Sequence, residues 1–124
     1  MTHPNAQRYL DMMKGGTPDF SAAATWLADD VQWYEAGRPD PLIGRDAVIA
    51  RLSQFPMEEG STNELDAVLA DDDSLVVFGR AHFEGPGGPL DYRYAEHYTL
   101  VDGVVTERRS FMDAVPDDVA KFFG

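Results

Sequence analysis

Cysteine is absent from this 124-residue chain. Its absence excludes disulfide scaffolds, thiolate zinc sites and cysteine nucleophiles together. Basic residues are scarce, 10 against 22 acidic ones for a formal charge of −12, and lysine occurs only at Lys14 and Lys121. So acidic a surface repels phosphate backbones and anionic membranes. With no basic stripe in the sequence, neither nucleic acid nor a membrane is an expected partner. Long apolar runs are lacking too: Ala22–Ala28 and Leu75–Gly79 are far too short to span a bilayer. Met1–Leu10 has no apolar stretch behind a basic start, so no signal peptide is read and a cytoplasmic location is expected.

The residues that are present describe a globular chain. Apolar residues make up 44%, with 11 glycines and 8 prolines, a balance that fits neither disorder nor a collagen-like repeat. Residues 1–124 read as one domain, which at this length buries about two-thirds of its unfolded surface and needs no staples. The partner left open by the charge is neutral, cationic, apolar or a second copy of the chain.

Spacing predicts four helices and five strands. Pro4–Met13 places Ala6, Tyr9, Leu10 and Met13 on one face, and Gly15-Gly16 ends it. Thr17-Pro18 opens a helix aligning Phe20, Ala24 and Leu27. Asp46–Gln54 turns Val48, Leu52 and Phe55 inward and stops at Pro56. Pro116–Phe123 carries Asp117 and Asp118 at its start and Lys121 near its end, an order that suits the helix dipole. Strands are expected at Val31–Glu35, Glu64–Ala70, Ser74–Glu84, Leu90–Val101 and Val104–Asp113, the last four joined by hairpin-sized turns. Helices followed by an antiparallel meander make an α+β fold, with helices covering one face of a curved sheet.

The segments Leu27-Ala28-Asp29-Asp30-Val31, Gly44-Arg45-Asp46-Ala47-Val48 and Tyr98-Thr99-Leu100-Val101-Asp102-Gly103-Val104-Val105 carry a resemblance. In their order and spacing, over essentially the whole chain, it resembles SnoaL-like proteins of the nuclear-transport-factor-2-like (cystatin-like fold) superfamily. The resemblance implies a cone-shaped half-barrel whose N-terminal helices pack on the concave face of a curved antiparallel sheet. It also implies a deep pocket on that face and a homodimer. It does not imply one activity, since polyketide cyclases, ketosteroid isomerases, epoxide hydrolases, dehydratases and non-catalytic binding modules share the fold.

Strand alternation selects candidate pocket residues. Tyr94, Glu96, Tyr98 and Leu100 share the more apolar face of their strand, which puts Glu96 in an apolar wall. Leu75, Val77, Gly79, Ala81 and Phe83 read inward, with Arg80, His82 and Glu84 outward. Phe78 is left on the outer face, a hint of a covering subunit. Both registers of the last strand mix polar and apolar residues, so the pocket arginine is either Arg108 or Arg109, with Arg108 carried as the candidate. The expected ligand-facing set is Trp33, Phe55, Phe83, Tyr94, Tyr98, Arg108 and Met112.

Tyr9, Glu35 and Glu96 match the tyrosine, acidic base and second carboxyl of the ketosteroid isomerase branch. There a base removes a proton α to a carbonyl while a phenol and a neutral carboxylic acid hydrogen-bond the enolate oxygen. This chain departs in having Glu at both acidic positions and extra residues at Gly16–Pro18, so a steroid substrate does not carry over. Each residue also has a structural alternative. Tyr9 packs in the core, Glu35 is solvated by the loop Ala36–Pro41, and Glu96 bonds Tyr94, Tyr98 or an inward arginine. Left unpaired there, Glu96 would favour its neutral form. Epoxide hydrolases of the superfamily use an Arg-x-Asp pair, and Tyr94-Ala95-Glu96 lacks the arginine. His3, His82 and His97 are scattered and Asp71–Asp73 lacks the ligand spacing of a calcium loop, so no metal or other cofactor is expected. Two functions stay open. One is a cofactor-free isomerase, cyclase or dehydratase acting on a small hydrophobic carbonyl compound; the other is a non-catalytic ligand-binding or dimerisation domain.

Overall fold

The computed structural model describes residues 2–13, 20–54 and 58–124. Phe55, Gly15-Gly16, Thr17-Pro18 and Pro56, which entered the sequence expectations, lie outside the described residues.

Helix α1 (Pro4–Met12) starts where His3 Nδ1 accepts the Asn5 N–H at 3.1 Å, with Pro4 filling the first turn. Its buried residues are Ala6, Tyr9 and Met12, while Leu10 and Met13 are half-buried. Ala6 and Tyr9 face inward as predicted, and at the end of the helix Met12 is buried where Met13 was expected. Helix α2 (Phe20–Trp26) buries Ala23 and Trp26 and ends one residue before Leu27. Leu27 begins strand β1 (Leu27–Tyr34), where it pairs with Val105 and is not part of the helix as expected. A two-residue strand β2 (Leu42–Ile43), too short to show alternation, pairs with Gln32 and Trp33. Helix α3 (Arg45–Ser53) follows, burying Val48.

The meander comprises β3 (Thr62–Ala70), β4 (Ser74–Gly85), β5 (Gly88–Val101) and β6 (Val104–Met112), and helix α4 (Pro116–Phe123) closes the chain. The acidic triplet is a turn: the Asp71 carboxylate accepts from the backbone N–H of Asp73 (2.9 Å) and Ser74 (2.8 Å) and from the Ser74 hydroxyl (3.1 Å). The strands form one curved, open six-stranded sheet in the order β2-β1-β6-β5-β4-β3. It is antiparallel except between β1 and β6, which run parallel. The meander is antiparallel as expected, and β1, which precedes it, joins its last strand across the intervening chain.

Two apolar clusters lie on the inner face. The larger joins Tyr9, Trp26, Val31, Trp33, Val48, Leu75, Val77, Tyr98, Leu100 and Val105 under α1–α3. The smaller gathers Ala81, Phe83, Leu90 and Phe122 under α4. Helix α4 is seated on the β4–β5 turn so closely that a Cβ on Gly87 would lie 1.4 Å from the Lys121 carbonyl oxygen, while the Gly87 N–H donates to the Phe122 carbonyl at 3.1 Å. Only glycine lets the two backbones meet there.

Candidate functional site

Between these clusters the inner face turns polar. Glu96 sits on β5 in the inward row expected for it, between Val77 of β4 and Ser110 of β6. Its Oε2 accepts from Arg108 Nη1 at 2.6 Å, and its Oε1 accepts from the Tyr98 hydroxyl at 3.1 Å and the Tyr9 hydroxyl at 3.4 Å. The side chains of Arg108 and Glu96 are 9% and 15% exposed. Such a pair holds its charges away from water only because the carboxylate is bonded on both oxygens. Of the alternatives for Glu96 the bonded one is found: it meets the inward arginine and Tyr98, with Tyr9 as a third donor, while Tyr94 bonds Asn63.

Arg108, and not Arg109, is the inward arginine. The β5–β6 register shifts between Thr99 and Leu100, so that Leu100 pairs with Val105 but Thr99 with Glu107. This bulge lets Val105 and Arg108, three residues apart, both point inward. Arg109 faces out, bonded to Glu107 at 2.6 Å with its guanidinium 4.2 Å from the Tyr34 ring centroid.

Aromatic rings enclose the pair. The Arg108 guanidinium lies 4.0 Å from the Trp33 ring centroid, a stacked cation–π arrangement. Tyr98 packs at 5.1 Å from Trp26, 5.8 Å from Tyr9 and 6.1 Å from Trp33. Burial pushes the phenols of Tyr9 and Tyr98 far above the ordinary tyrosine range, reinforced by neighbouring Tyr98 and Glu96 for Tyr9 and by Glu96 for Tyr98. Both therefore remain protonated donors. Tyr94, pushed up to about 12 mainly by burial and then by Glu96, donates to Asn63 Oδ1 at 2.6 Å. Its hydroxyl fits because β4 carries Gly79, where a Cβ would lie 2.5 Å from that oxygen.

Glu35 lies one residue beyond β1, partly exposed at 23%, and its Oε2 accepts from Arg51 Nε of α3 at 3.0 Å. It is neither in bulk water nor in contact with Glu96. Register sets their relation: Tyr34 pairs with Arg109, and Ser110 with Glu96. Glu35 follows directly after the Tyr34–Arg109 pair, past the end of β1. Tyr9 and Glu96 are brought together; Glu35 is a separate carboxylate with its own arginine. Arg108 forms the ion pair and Trp33 and Tyr98 line it, while Met112 pairs with Tyr94 at the junction and Phe83 packs with the Phe122 cluster.

Sequence reasoning missed Arg51, Trp26 and Tyr92. Trp26 follows Ala23 by one helical turn, a spacing that signals the inner face. Tyr92 shares the parity of Tyr94 and Glu96 and packs its ring 6.0 Å from Tyr94 and 5.9 Å from Phe83. Arg51 stands in the last turn of α3, and nothing in its spacing points to Glu35.

On the opposite face, a cavity of about 450 Å³ is bordered by Glu64, Arg80, His82, Asp91, Arg93 and Asp113. These side chains are engaged with one another, Arg80 with Glu64 at 2.8 Å, Arg93 with Asp113 at 2.9 Å and His82 with Asp91 at 2.6 Å. It is an open surface groove, with Thr62, Ala81 and Tyr92 completing its lining.

Residues 6–108 match the model of the SnoaL-like domain family. No curated protein matches the chain. Among solved structures, a Jannaschia sp. CCS1 protein assigned as a SnoaL-like polyketide cyclase is 21% identical, with 91% of this chain and 90% of that one covered and a TM-score of 0.76. A Kribbella flavida protein assigned as a ketosteroid isomerase is 21% identical over 90% and 76%, with a TM-score of 0.70. An M. tuberculosis LEH-like epoxide hydrolase is 18% identical over 95% and 89%, also at 0.70. At these identities the likeness is one of fold.

Proposed function

Because the chain belongs to the SnoaL-like domain family, we propose that it acts on a small hydrophobic carbonyl compound by cofactor-free acid–base chemistry, as an isomerase, cyclase or dehydratase. The observation that carries this reading is the Glu96–Arg108 pair set under the phenols of Tyr9 and Tyr98 within an apolar wall. A core built for stability alone gains nothing from such a pair, since well-packed apolar residues of the same volume serve as well or better. Glu35 is the general base, its Oε1 having no bond to Arg51. Arg108, which keeps N–H groups beyond the one given to Glu96, is the donor that stabilises negative charge developing on the carbonyl oxygen, while the phenols give their single protons to Glu96. Glu96, bonded by three donors, holds Tyr9, Tyr98 and Arg108 in place, which replaces the neutral-donor role expected of it.

The test is turnover of a panel of aromatic and polyketide-like ketones by the wild type and by Glu35→Gln. The substitution keeps shape and removes the base, so kcat/KM is expected to fall by ~10²–10⁴-fold with folding unchanged. An unchanged rate refutes the role of Glu35. The same network also suits a non-catalytic binding domain, because every donor on Glu96 is satisfied; ligand binding without turnover of any panel member favours that reading.

The partner in the assembly is a second copy. Phe78, Ala95 and Phe111 form one row across the outer face, with Phe78 44% and Phe111 60% exposed, an apolar strip suited to a homodimer. Light scattering is expected to give twice the chain mass. No helix among the described residues is long and apolar enough to cross a membrane, in keeping with the proposed cytoplasmic location.

A further inference from the structure

Glu35 lies past the end of β1, where its carbonyl accepts the Arg38 N–H at 3.1 Å and an exposed loop begins. A long side chain there has no strand neighbour beyond it to fix its rotamer, so its freedom is limited from another element. That element is α3. Arg51 Nε donates to Glu35 Oε2 at 3.0 Å, with the side chains 34% and 23% exposed. Among the described residues no other side chain bonds the Glu35 carboxylate.

Arg51 is itself held from two sides. Val48, three positions before it on the same helix face, is fully buried. The start of α3 is tied to β1, the Gly44 N–H donating to the Val31 carbonyl at 2.9 Å. From the other side α4 presents Phe123, whose ring centroid lies 5.9 Å from the Arg51 guanidinium carbon, at the outer reach of cation–π attraction. Phe123 packs edge-on against Phe122 at 5.3 Å, and Phe122 is anchored in the smaller cluster at 1% exposure. A flat guanidinium bounded in this way grips one carboxylate oxygen and leaves Oε1 unbonded.

We infer that Arg51 is a positioning residue: backed by Phe123 of the C-terminal helix, it aims Glu35 Oε1 at the substrate. The bond from Nε to Oε2 selects which oxygen faces the reacting carbon, and Phe123 limits where the guanidinium can go. Charge alone does not ask for arginine here. Lysine brings the same charge as a mobile point donor, with no planar group to lie against a ring. This inference rests on the reading of Glu35 as the general base and adds what orients it.

The test uses the panel ketone that the wild type turns over fastest. Values of kcat and KM are measured separately for Arg51→Gln, Arg51→Lys, Phe123→Leu and the double variant Arg51→Gln/Phe123→Leu, with urea titrations to check folding. Arg51→Gln is expected to lower kcat by ~10–10²-fold while KM stays within about twofold. Arg51→Lys should recover only part of that loss. Phe123→Leu should lower kcat by a smaller factor, and the double variant should be no slower than Arg51→Gln, since Phe123 acts through Arg51. An unchanged kcat in Arg51→Gln, or a rise in KM alone, overturns the inference and leaves the base role of Glu35 standing. Full recovery by lysine, or losses that multiply in the double variant, overturns it as well, because charge alone or a separate effect of Phe123 then accounts for the rates. If the wild type turns over no panel member, or Glu35→Gln is as fast as the wild type, the acid–base reading fails and takes the inference with it.

Discussion

The two faces of the sheet use the same bond for different ends. On the inner face Arg108 meets Glu96 at 2.6 Å with side chains 9% and 15% exposed. On the outer face Arg80 meets Glu64 at 2.8 Å with side chains 57% and 66% exposed. The distances are nearly equal, so geometry does not separate them; solvent does. Outside, water screens each charge and would hydrate either partner if the other were gone. Inside, neither charge has that alternative, and each depends on the other and on the phenols around it. A buried pair of this kind adds little net stability, yet it fixes where a guanidinium and two hydroxyls point. That is the property an acid–base site needs.

Removing one partner is the sharpest way to test this contrast. Arg108→Met leaves Glu96 with two phenols and no cation, and should lower unfolding stability by about 3–5 kcal/mol in urea titrations. The double variant Glu96→Gln/Arg108→Met removes both charges and keeps an amide oxygen for Tyr9 and Tyr98, so it is expected to recover most of that loss. If the double variant is as unstable as the single one, the pair itself holds the fold together and the positioning argument fails. The matching removal outside, Arg80→Ala, should cost about 0–1 kcal/mol. A cost equal to that of Arg108→Met would erase the distinction between the faces.

How far this was legible from sequence follows the regularity of the strands. In β4 and β5 alternation is unbroken, so Leu75, Val77, Ala81 and Tyr98 read as inward and are buried, and Glu96 falls in its row. In β6 the bulge opposite Thr99 changes parity between Val105 and Arg108, which is why period-2 reasoning could not choose between Arg108 and Arg109. Leu27 continued the helical spacing of α2 yet pairs with Val105, because a strand partner distant in sequence outweighs one more helical turn. The partners of the site carboxylates were the least legible. Arg51 reaches Glu35 from α3, and Arg108 reaches Glu96 from a neighbouring strand; such contacts are set by how elements pack, which local spacing does not encode.

The smallest effect expected on the outer face is also its most specific. His82 has each ring nitrogen 2.6 Å from a carboxylate, Asp91 on one side and Glu84 on the other. These hydrogen bonds, Asp91 first and Glu84 second, raise its pKa above the ordinary histidine value. A raised pKa in the folded state means the protonated form is favoured by folding. The stabilisation is therefore complete below the unfolded value of about 6.5 and is lost as pH rises through the higher folded value. The ring is exposed, so the change in stability should be slight, but the titration itself is measurable. Following the His82 ring protons by NMR should show a midpoint above that of histidine in the urea-unfolded chain, and Asp91→Asn should lower it. A folded midpoint at or below the unfolded one would mean that both carboxylates are solvated away from the ring, and that the outer face holds its charges even more loosely than the contrast with Glu96 and Arg108 requires.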